Sequence, residues 1–534
     1  MENGRFKILS DLVPTGDIEK DKFIIPRILD LTLSTHQKNV VEIKRLKDYY
    51  YNKTDILAKE KVQQKSINNK VGVDYAEIAV TTINAYCFAH PLTFSSRKSD
   101  VEDSIKALND ALDDDNYAGK SMDMYLNAGI CALGYRYIMP ATQEQIENDI
   151  YFETLCNLDP EKTYCVYSND LRQDKIMAVS FYKKDIFDND YKAIKTATIY
   201  NVWTKYHQWE FYKKSGTWTN SVFYNLLPDG ERIEYQAYPL PYRKIPIIEN
   251  VRKSDRTGDF ELAIDLINAI NALVSARLDA VEQSVDYIIL LRDIDTESEG
   301  ALERVKDAIK DGILSFKSIP NAIVQPEISI LETKLNQSEV QTLQDFLCSK
   351  LEEVLNIPNR ETRSSGGDTG SAVESRNGFR SLENIAGLVT ANALKTENET
   401  LDVILAICKN IEKCPFKNLK PRDVEIKENR NKVENLTNAS NAYATLRNAG
   451  LNDTDALIAT RIVSDPQSVA KKNKIEQEEK MQANLEQMKK QQEITNQGNN
   501  QPNNNSNATD KKAETKAKNN SQNKNGSNSG NTDE

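Results

Sequence analysis

Apolar positions recur along this chain with one period up to about residue 150, a second period to about 250, and the first again beyond it. In the first stretch, residues 1–34 carry two apolar clusters, Phe23-Ile-Ile-Pro26 and Ile28-Leu-Asp-Leu31, enough for a short helix. Thr35–Lys61 reads as helix. Asp74–Ala89 follows with Ile78, Thr82 and Tyr86 at four-residue steps, closed by Pro91, whose ring disfavours helix in the residue before it. Val101–Asp113 is amphipathic. Met122–Gly134 reads as a helix of small residues, with Ala128, Gly129, Ala132 and Gly134 permitting close packing.

From Ile150 to Ile248 the pattern turns to short β-branched and aromatic runs between turn clusters such as Ser168-Asn-Asp170. It predicts strands over Tyr151–Leu155, Thr163–Tyr167, Ile176–Tyr182, Ala197–Trp203, Gln208–Tyr212 and Ser221–Tyr224, in an antiparallel sheet. Most tyrosines and Trp203, Trp209 and Trp218 lie in or near it. Such a sheet packs against a neighbour or offers an aromatic platform to a sugar or a base; packing is the commoner use of these residues.

Helical spacing returns over Asp259–Leu291, with Ile267, Ile270, Val274, Leu278, Val281 and Val285 on one stripe, and over Gln337–Asn356, with Val340, Leu343, Leu347, Leu351 and Val354. Between them, Tyr287–Arg292 and Gly312–Leu331 read as short strands rich in Ile and Val. After Pro358 comes a glycine-rich loop, NRETRSSGGDTG, and then Ser371-Ala-Val-Glu374, a capping box opening about forty helical residues that include Gly378 and Gly387. Asn438–Gly450 and Asp453–Val463 form a helical pair, with Gly450 past the first helix and Pro466 past the second. Gln467–Glu493 is a charged helix with sparse apolar positions at Ile475, Met481, Leu485 and Met488. From Gln491 onward the composition of Asn, Ser, Gln, Lys and Gly cannot offset the entropy of ordering, so disorder is expected.

Composition narrows the classes. A chain of 534 residues holds more than one domain, and 39% hydrophobic residues with a mean hydropathy of −0.60 suits an elongated subunit better than a sphere. A formal charge of −11 argues against binding nucleic acid through bulk counterion release. The seven cysteines contain no C-x-x-C pair; the nearest are Cys408 with Cys414 and Cys156 with Cys165, which reads as reduced thiols in a protein assembled in the cytoplasm. No apolar run is long enough to span a bilayer, and MENGRFKILSDLVP has no apolar stretch of signal-peptide type.

Candidate chemistry is thin. Gly119-Lys-Ser121 imitates the end of a phosphate-binding loop, but the position of its first glycine holds Asp114, within an acidic run that repels phosphate. Asp293, Asp295 and Glu297 begin like a calcium loop, yet Ser298 replaces the glycine and Arg304 the closing glutamate. His36, His90 and His207 lie in no metal or catalytic motif, and His90 before Pro91 reads as a helix-end residue. Neither a catalytic residue, a metal ligand nor a cofactor site is expected. A nuclease or an ATPase has no motif here to rest on.

The order of elements, with four sets of residues, resembles the portal proteins of tailed phages, in particular the type found in phages of Gram-positive hosts. The first set is Leu46-Lys-Asp-Tyr-Tyr50, Ile67-Asn-Asn-Lys-Val71 and Ile83–Leu92; the second is Ile245-Pro-Ile-Ile-Glu-Asn250 ahead of a helix. The third is Pro358–Gly370 running into Ser371, and the fourth is Ala449-Gly450 through Asp465-Pro466. The resemblance covers roughly residues 35–475 and implies a mainly helical α+β fold. Its parts are an N-terminal arm (1–34), a wing of helices then antiparallel strands (35–250), a stem helix (251–284), a small α/β clip (285–335) and a second stem helix (336–357). A tunnel loop (358–370), a long wing helix (371–411), a helical crown (412–475) and a charged helix with a disordered tail (476–534) follow. It implies a ring of twelve copies at one capsid vertex, passing double-stranded DNA without sequence preference. The implied partners are the terminase large subunit, then a head-tail adaptor, with major capsid and scaffolding proteins around the ring and no membrane. The DNA-facing residues it implies are Arg360, Glu361, Arg363, Ser364, Ser365, Gly366, Gly367 and Asp368. Arg360 and Arg363 touch phosphate on this reading, or acidic groups between subunits. A structural adaptor or minor head protein without a channel shares the helix-rich, motif-poor character and is the alternative.

Overall fold

The computed structural model describes residues 4–61, 67–187, 193–214, 217–221, 223–226, 232–285, 288–292, 300, 303, 327–331, 337–358, 379–428, 436–460, 462–463 and 466–497. It contains helices and strands in both mixed and segregated arrangement, an α+β fold. The chain falls into two compact units, Met1–Ser440 and Asn441–Glu534.

A strand, β1 (Ile8–Ser10), leads into α1 (Ile18–Tyr50), capped by Asp17, whose side chain accepts from the Glu19 amide. One helix thus replaces the two predicted segments, and it runs across residues 34 and 35. Pro26 lies inside it at the cost of one backbone hydrogen bond. Burial compensates: Ile25, Ile28 and Leu29 pack on a sheet while Ile43, Leu46 and Tyr49, later on the same helix, enter a different core. That sheet is ordered β1-β5-β6-β7-β8-β12, with β9 on β8, from β5 (Thr163–Ser168), β6 (Lys175–Phe187), β7 (Ala193–Trp203), β8 (His207–Lys214), β9 (Thr217–Asn220) and β12 (Tyr238–Pro239). β1 joins it parallel to β5, with Ile8 opposite Val166; three residues are too few to be found from their own pattern. Trp203 and Trp209 are buried within the chain and Trp218 donates to Asp30 (2.8 Å), so the aromatic sheet is largely internal packing.

Three helices cross a second layer: α2 (Tyr75–Phe88), α3 (Glu102–Asp114) and α4 (Tyr117–Cys131). In α2 the predicted face is its flank. Ala76, Ala79, Val80, Ile83 and Cys87 are buried, while Ile78, Thr82 and Tyr86 are half-buried, because α2 lies close to other helices and the small side chains make the contact. The predicted helix Met122–Gly134 is displaced. α4 starts at Tyr117 and stops at Cys131, where Ala132 takes a left-handed conformation (φ 71°) and turns the chain into β3 (Leu133–Pro140). Gly134 is a strand residue whose hydrogen faces α4: a Cβ there would lie 2.3 Å from the Met124 carbonyl oxygen. β3 pairs with β13 (Ile247–Val251) and β4 (Phe152–Leu155). A short strand, β2 (Thr93–Ser96), pairs with β16 (Val424–Lys427).

Beyond β13 come α6 (Ile264–Val285), β14 (Ile288–Arg292), β15 (Glu327–Leu331), α7 (Gln337–Leu355) and α8 (Phe379–Cys408), with α5 (Gln143–Glu147) and the β10–β11 hairpin (Phe223–Leu226, Arg232–Tyr235) earlier in the chain. α6 is described to Val285 rather than to the expected Leu291, and the IILL run forms the strand. The remaining predicted strands of 312–326, the Ser371–Glu374 capping box and Gly378 lie outside the described residues.

The second unit takes in most of α9 (Leu436–Asn448), then α10 (Asp453–Thr460) and α11 (Pro466–Gln497). α9 ends as expected at Gly450 (φ 95°), with the Gly450 amide bonded to Arg447 and the Leu451 amide to Leu446. Asp453 draws the three helices together: Tyr443 donates to it, as do Arg447 (3.3 Å) and Asn473 (2.9 Å).

Candidate functional site: a helical hairpin rooted in the body

α6 and α7 run antiparallel, side by side. At the root, Ile264, Ile267 and Ile270 share a core with Leu351 and Leu355, joined by Ala79 and Val80 of α2 and Ile43 and Leu46 of α1. Farther out, Arg277 of α6 donates to Gln341 (2.8 Å) and Gln344 (2.5 Å) of α7. At the far end β14 and β15 pair antiparallel, Ile288 opposite Leu331 through Arg292 opposite Glu327. Burial is uneven along both helices. On α6 Ile267 is fully buried and Leu278 42% exposed; on α7 Leu351 is fully buried, whereas Val354 beside it is 44% exposed, Leu343 48% and Phe346 56%.

A second face of α6 is polar and buried. Asn271, Ser275 and Asp279 stand at four-residue steps and receive the backbone amides of Val73 (3.0 Å), Val71 (3.0 Å) and Asn69 (2.7 Å). The match is geometric: four helical residues rise about 6 Å, and two extended residues span about 6.6 Å. Side chains of a helix thus stand in for a neighbouring strand. Asp279 also receives the Lys59 (2.8 Å) and Lys61 (2.9 Å) ammoniums and the Asn69 amide side chain (3.0 Å). Burial alone raises a carboxyl pKa, yet these donors hold that of Asp279 far below its ordinary range. The third face carries Ala269, Ala272 and Ala276, all exposed.

Ion pairs fix the root to the body. Arg252, between β13 and α6, holds Asp259 through two buried hydrogen bonds (2.9 and 2.6 Å). Arg5 of the N-terminal segment reaches Glu261 (2.5 Å), and the Arg5 amide donates to the Arg256 carbonyl (2.9 Å). Arg256 pairs with Glu249 (2.8 Å), which Tyr135 and Tyr167 also contact. Burial opposes the charge on Glu249, and Arg256 overcomes it, so its carboxyl sits below the usual range.

α8 is held by a charged node inside the body. Arg136 of β3 bonds Glu397 of α8 through two nitrogens (3.0 and 2.9 Å), with further bonds to Thr400 (2.8 Å), Ser121 (2.6 Å) and Tyr117. Tyr117 and Tyr125 both donate to Glu397. Arg136 and Glu397 have side chains of 0% exposure. Burial, reinforced by Glu397, pushes both tyrosine pKa values well up, so they remain donors. Ser121 here is a member of this node on α4 and Lys120 pairs with Asp115 (2.6 Å), so the Gly119-Lys-Ser121 triplet lies within a helix and not in a phosphate loop.

Of the residues singled out from sequence, Arg360, Glu361, Arg363, Ser364, Ser365, Gly366, Gly367 and Asp368 lie outside the described residues, as do Asp293, Asp295 and Glu297. The structure describes the chain on both sides of that loop, α7 through Pro358 and α8 from Phe379. His36 is buried, bonded to the Glu161 carbonyl (2.9 Å) and stacked on Tyr164. Among the described residues there is no cluster of His, Cys, Asp and Glu that could hold a metal ion, and no helix long and apolar enough to cross a membrane. The polar ladder and the Arg136–Glu397 node escaped the sequence reading. The ladder had a signal: polar residues every fourth position on a helix whose other faces are apolar or alanine.

Residues 30–497 match the family described as phage portal protein, SPP1 Gp6-like, and the chain belongs to that family. Its members are structural components of the virion capsid. The portal protein of Clostridium phage phiCD119 is similar at 24% identity over 269 residues, which is 46% of this chain and 54% of that protein. The match thus spans about half the length of the relative.

Proposed function

We propose that copies of this chain close into a ring around a channel at one capsid vertex, through which duplex DNA is packaged, retained and released. The observation that carries the reading is the hairpin's uneven burial. Its root completes a core within the chain, whereas its outer half leaves Leu278, Val281, Leu343 and Phe346 exposed on both helices. A closed ring joins unlike faces of neighbouring copies. The alanine face of α6 and the bulky residues of α7 are unlike faces of suitable size. In these terms α6 and α7 are the stem, the β14–β15 region the clip, residues 358–370 the tunnel loop, and 412–475 the crown. The ring has twelve copies; the clip receives the terminase large subunit and later a head-tail adaptor, and major capsid and scaffolding proteins surround the ring.

Each residue facing the channel repeats once per copy, so a single side chain becomes a ring of charge. A lysine-rich wall would hold DNA through released counterions and stall it. This acidic chain, at −11, keeps the duplex weakly held. Arg360 and Arg363 make transient phosphate contacts, tempered by Glu361 and Asp368. Electron microscopy of the purified protein tests the reading. Rings with a central hole wider than a duplex, about 20 Å, are expected; a solid particle or a monomer favours the adaptor. Heads built with Arg360→Ala and Arg363→Ala together should assemble and lose DNA content, and full heads would remove the loop contact.

A further inference from the structure

Two exposed helix faces of the first unit carry one charge pattern with opposite signs. On α1, Lys38, Glu42 and Arg45 lie four and three residues apart, so they share a stripe on the helix surface. On α3, Asp103, Lys106 and Asp110 lie three and four apart and do the same. Each triplet spans seven residue steps, a rise of about 10.5 Å. Plus-minus-plus on one helix therefore meets minus-plus-minus on the other at equal spacing. The pattern reads alike from either end, so the charges match whether the helices run parallel or antiparallel. Lys38, Arg45, Asp103, Lys106 and Asp110 are exposed, and the Glu42 side chain is 41% exposed. Among the described residues, the only ion pair either triplet makes is Glu42 with Arg45 (3.5 Å), inside α1. Val41, 65% exposed, and the half-buried Ala107 set apolar surface beside the charges, while Ile105, Leu108 and Leu112 hold α3 to the body.

We propose that these faces form a contact between copies: α1 of one chain docks through Lys38, Glu42 and Arg45 on Asp103, Lys106 and Asp110 of the next. The proposal rests on the ring reading above and gives that ring a second surface, distinct from the faces of the α6–α7 hairpin. Charge complementarity selects the occupant. The mirror of the α1 pattern stands on the same chain, so a second copy brings it. Like faces repel: two α1 stripes set Lys38 and Arg45 against the same cations, and two α3 stripes set aspartate against aspartate. The contact therefore joins unlike faces, the kind that closes a ring. A single exposed ion pair contributes little, but three in register beside Val41 and Ala107 select one alignment and steer the approach of the copies. Such a contact weakens as added salt screens it, over a distance of about 8 Å at physiological ionic strength.

Charge exchange tests this on the full-length protein. One variant carries Lys38→Glu, Glu42→Lys and Arg45→Glu; another carries Asp103→Lys, Lys106→Glu and Asp110→Lys. Either variant alone meets like charges across the contact. The concentration at which half the chains assemble, read by sedimentation, should then rise about tenfold or more. Mixing the two variants should restore assembly, because alternating copies pair reversed with reversed and native with native. A single chain carrying all six substitutions should assemble as the wild type does. Restoration on mixing also shows that each variant folds. Unchanged assembly of the two separate variants overturns the contact and leaves the ring reading standing. A loss that neither the mixture nor the six-fold variant restores overturns the contact too. A wild-type chain that stays monomeric contradicts the ring reading and this contact with it.

Discussion

α8 and α7 are both amphipathic helices of the first unit, and they are used in opposite ways. α8 buries Leu382, Ala386, Val389 and Ala393 in one core and Leu401, Ile404, Leu405 and Cys408 in another, with Glu397 neutralised between them. α7 buries Leu351 and Leu355 at its C-terminal end and leaves Leu343, Phe346 and Val354 exposed. A chain that satisfies even a charged residue at the centre of α8 has not run out of means to cover α7. On the proposed reading, the exposed face of α7 meets a further copy of the chain in the ring.

The contrast can be broken at several points, in order of expected size. Glu397→Ala leaves Arg136 charged and unpaired in the core and should cost about 3–5 kcal/mol, read from urea unfolding. A loss below about 1 kcal/mol would mean that water reaches the node. Leu351→Ala should cost about 2–5 kcal/mol, whereas Leu343→Ala should change the stability of the unassembled chain by no more than about 0.5 kcal/mol. Equal losses at the two positions would erase the distinction between root and outer half. Asp279→Ala removes the acceptor for the Asn69 amide and both lysines and should cost about 1–3 kcal/mol. Hydrogen exchange at Asn69, Val71 and Val73 should accelerate together; unchanged exchange would show that residues 69–73 are held by other contacts.

The smallest effect concerns pH. Burial lowers the His36 pKa below its ordinary 6.5, with the Glu161 carbonyl and Asp159 opposing the shift. The unfolded chain therefore takes up this proton first. The contribution is complete above pH 6.5 and is lost as pH falls through the lower, folded value. Melting temperature should drop on acidification below 6.5, and His36→Gln should flatten that part of the profile.

Much of the architecture was legible because periodicity reports burial. The change from helical to alternating spacing near residue 150 finds the run of strands from β4 onward, but α4 ends and β3 begins earlier, at Cys131 and Leu133. The hairpin was legible from Ile267, Ile270, Leu347 and Leu351. What failed were features made by distant partners. Gly134 reads as a small helix residue until Met124 is seen against it, and in α2 the face of Ile78, Thr82 and Tyr86 was picked over the buried face of Ala76 and Ala79. Asn271, Ser275 and Asp279 look like a solvated face because the amides they hold lie some two hundred positions earlier. Arg136 and Glu397 are ordinary charged residues in sequence, and only the fold makes them a pair. For the loop of Arg360 to Asp368, composition and family resemblance remain the grounds.

The most direct measurement is the assembly state of a Leu343→Asp, Phe346→Asp double variant, by light scattering and electron microscopy beside the wild-type protein. The account predicts rings for the wild type and a folded variant, with unchanged circular dichroism and melting behaviour, that stays monomeric. Intact rings from the variant would contradict it, as would a wild-type chain that never forms rings.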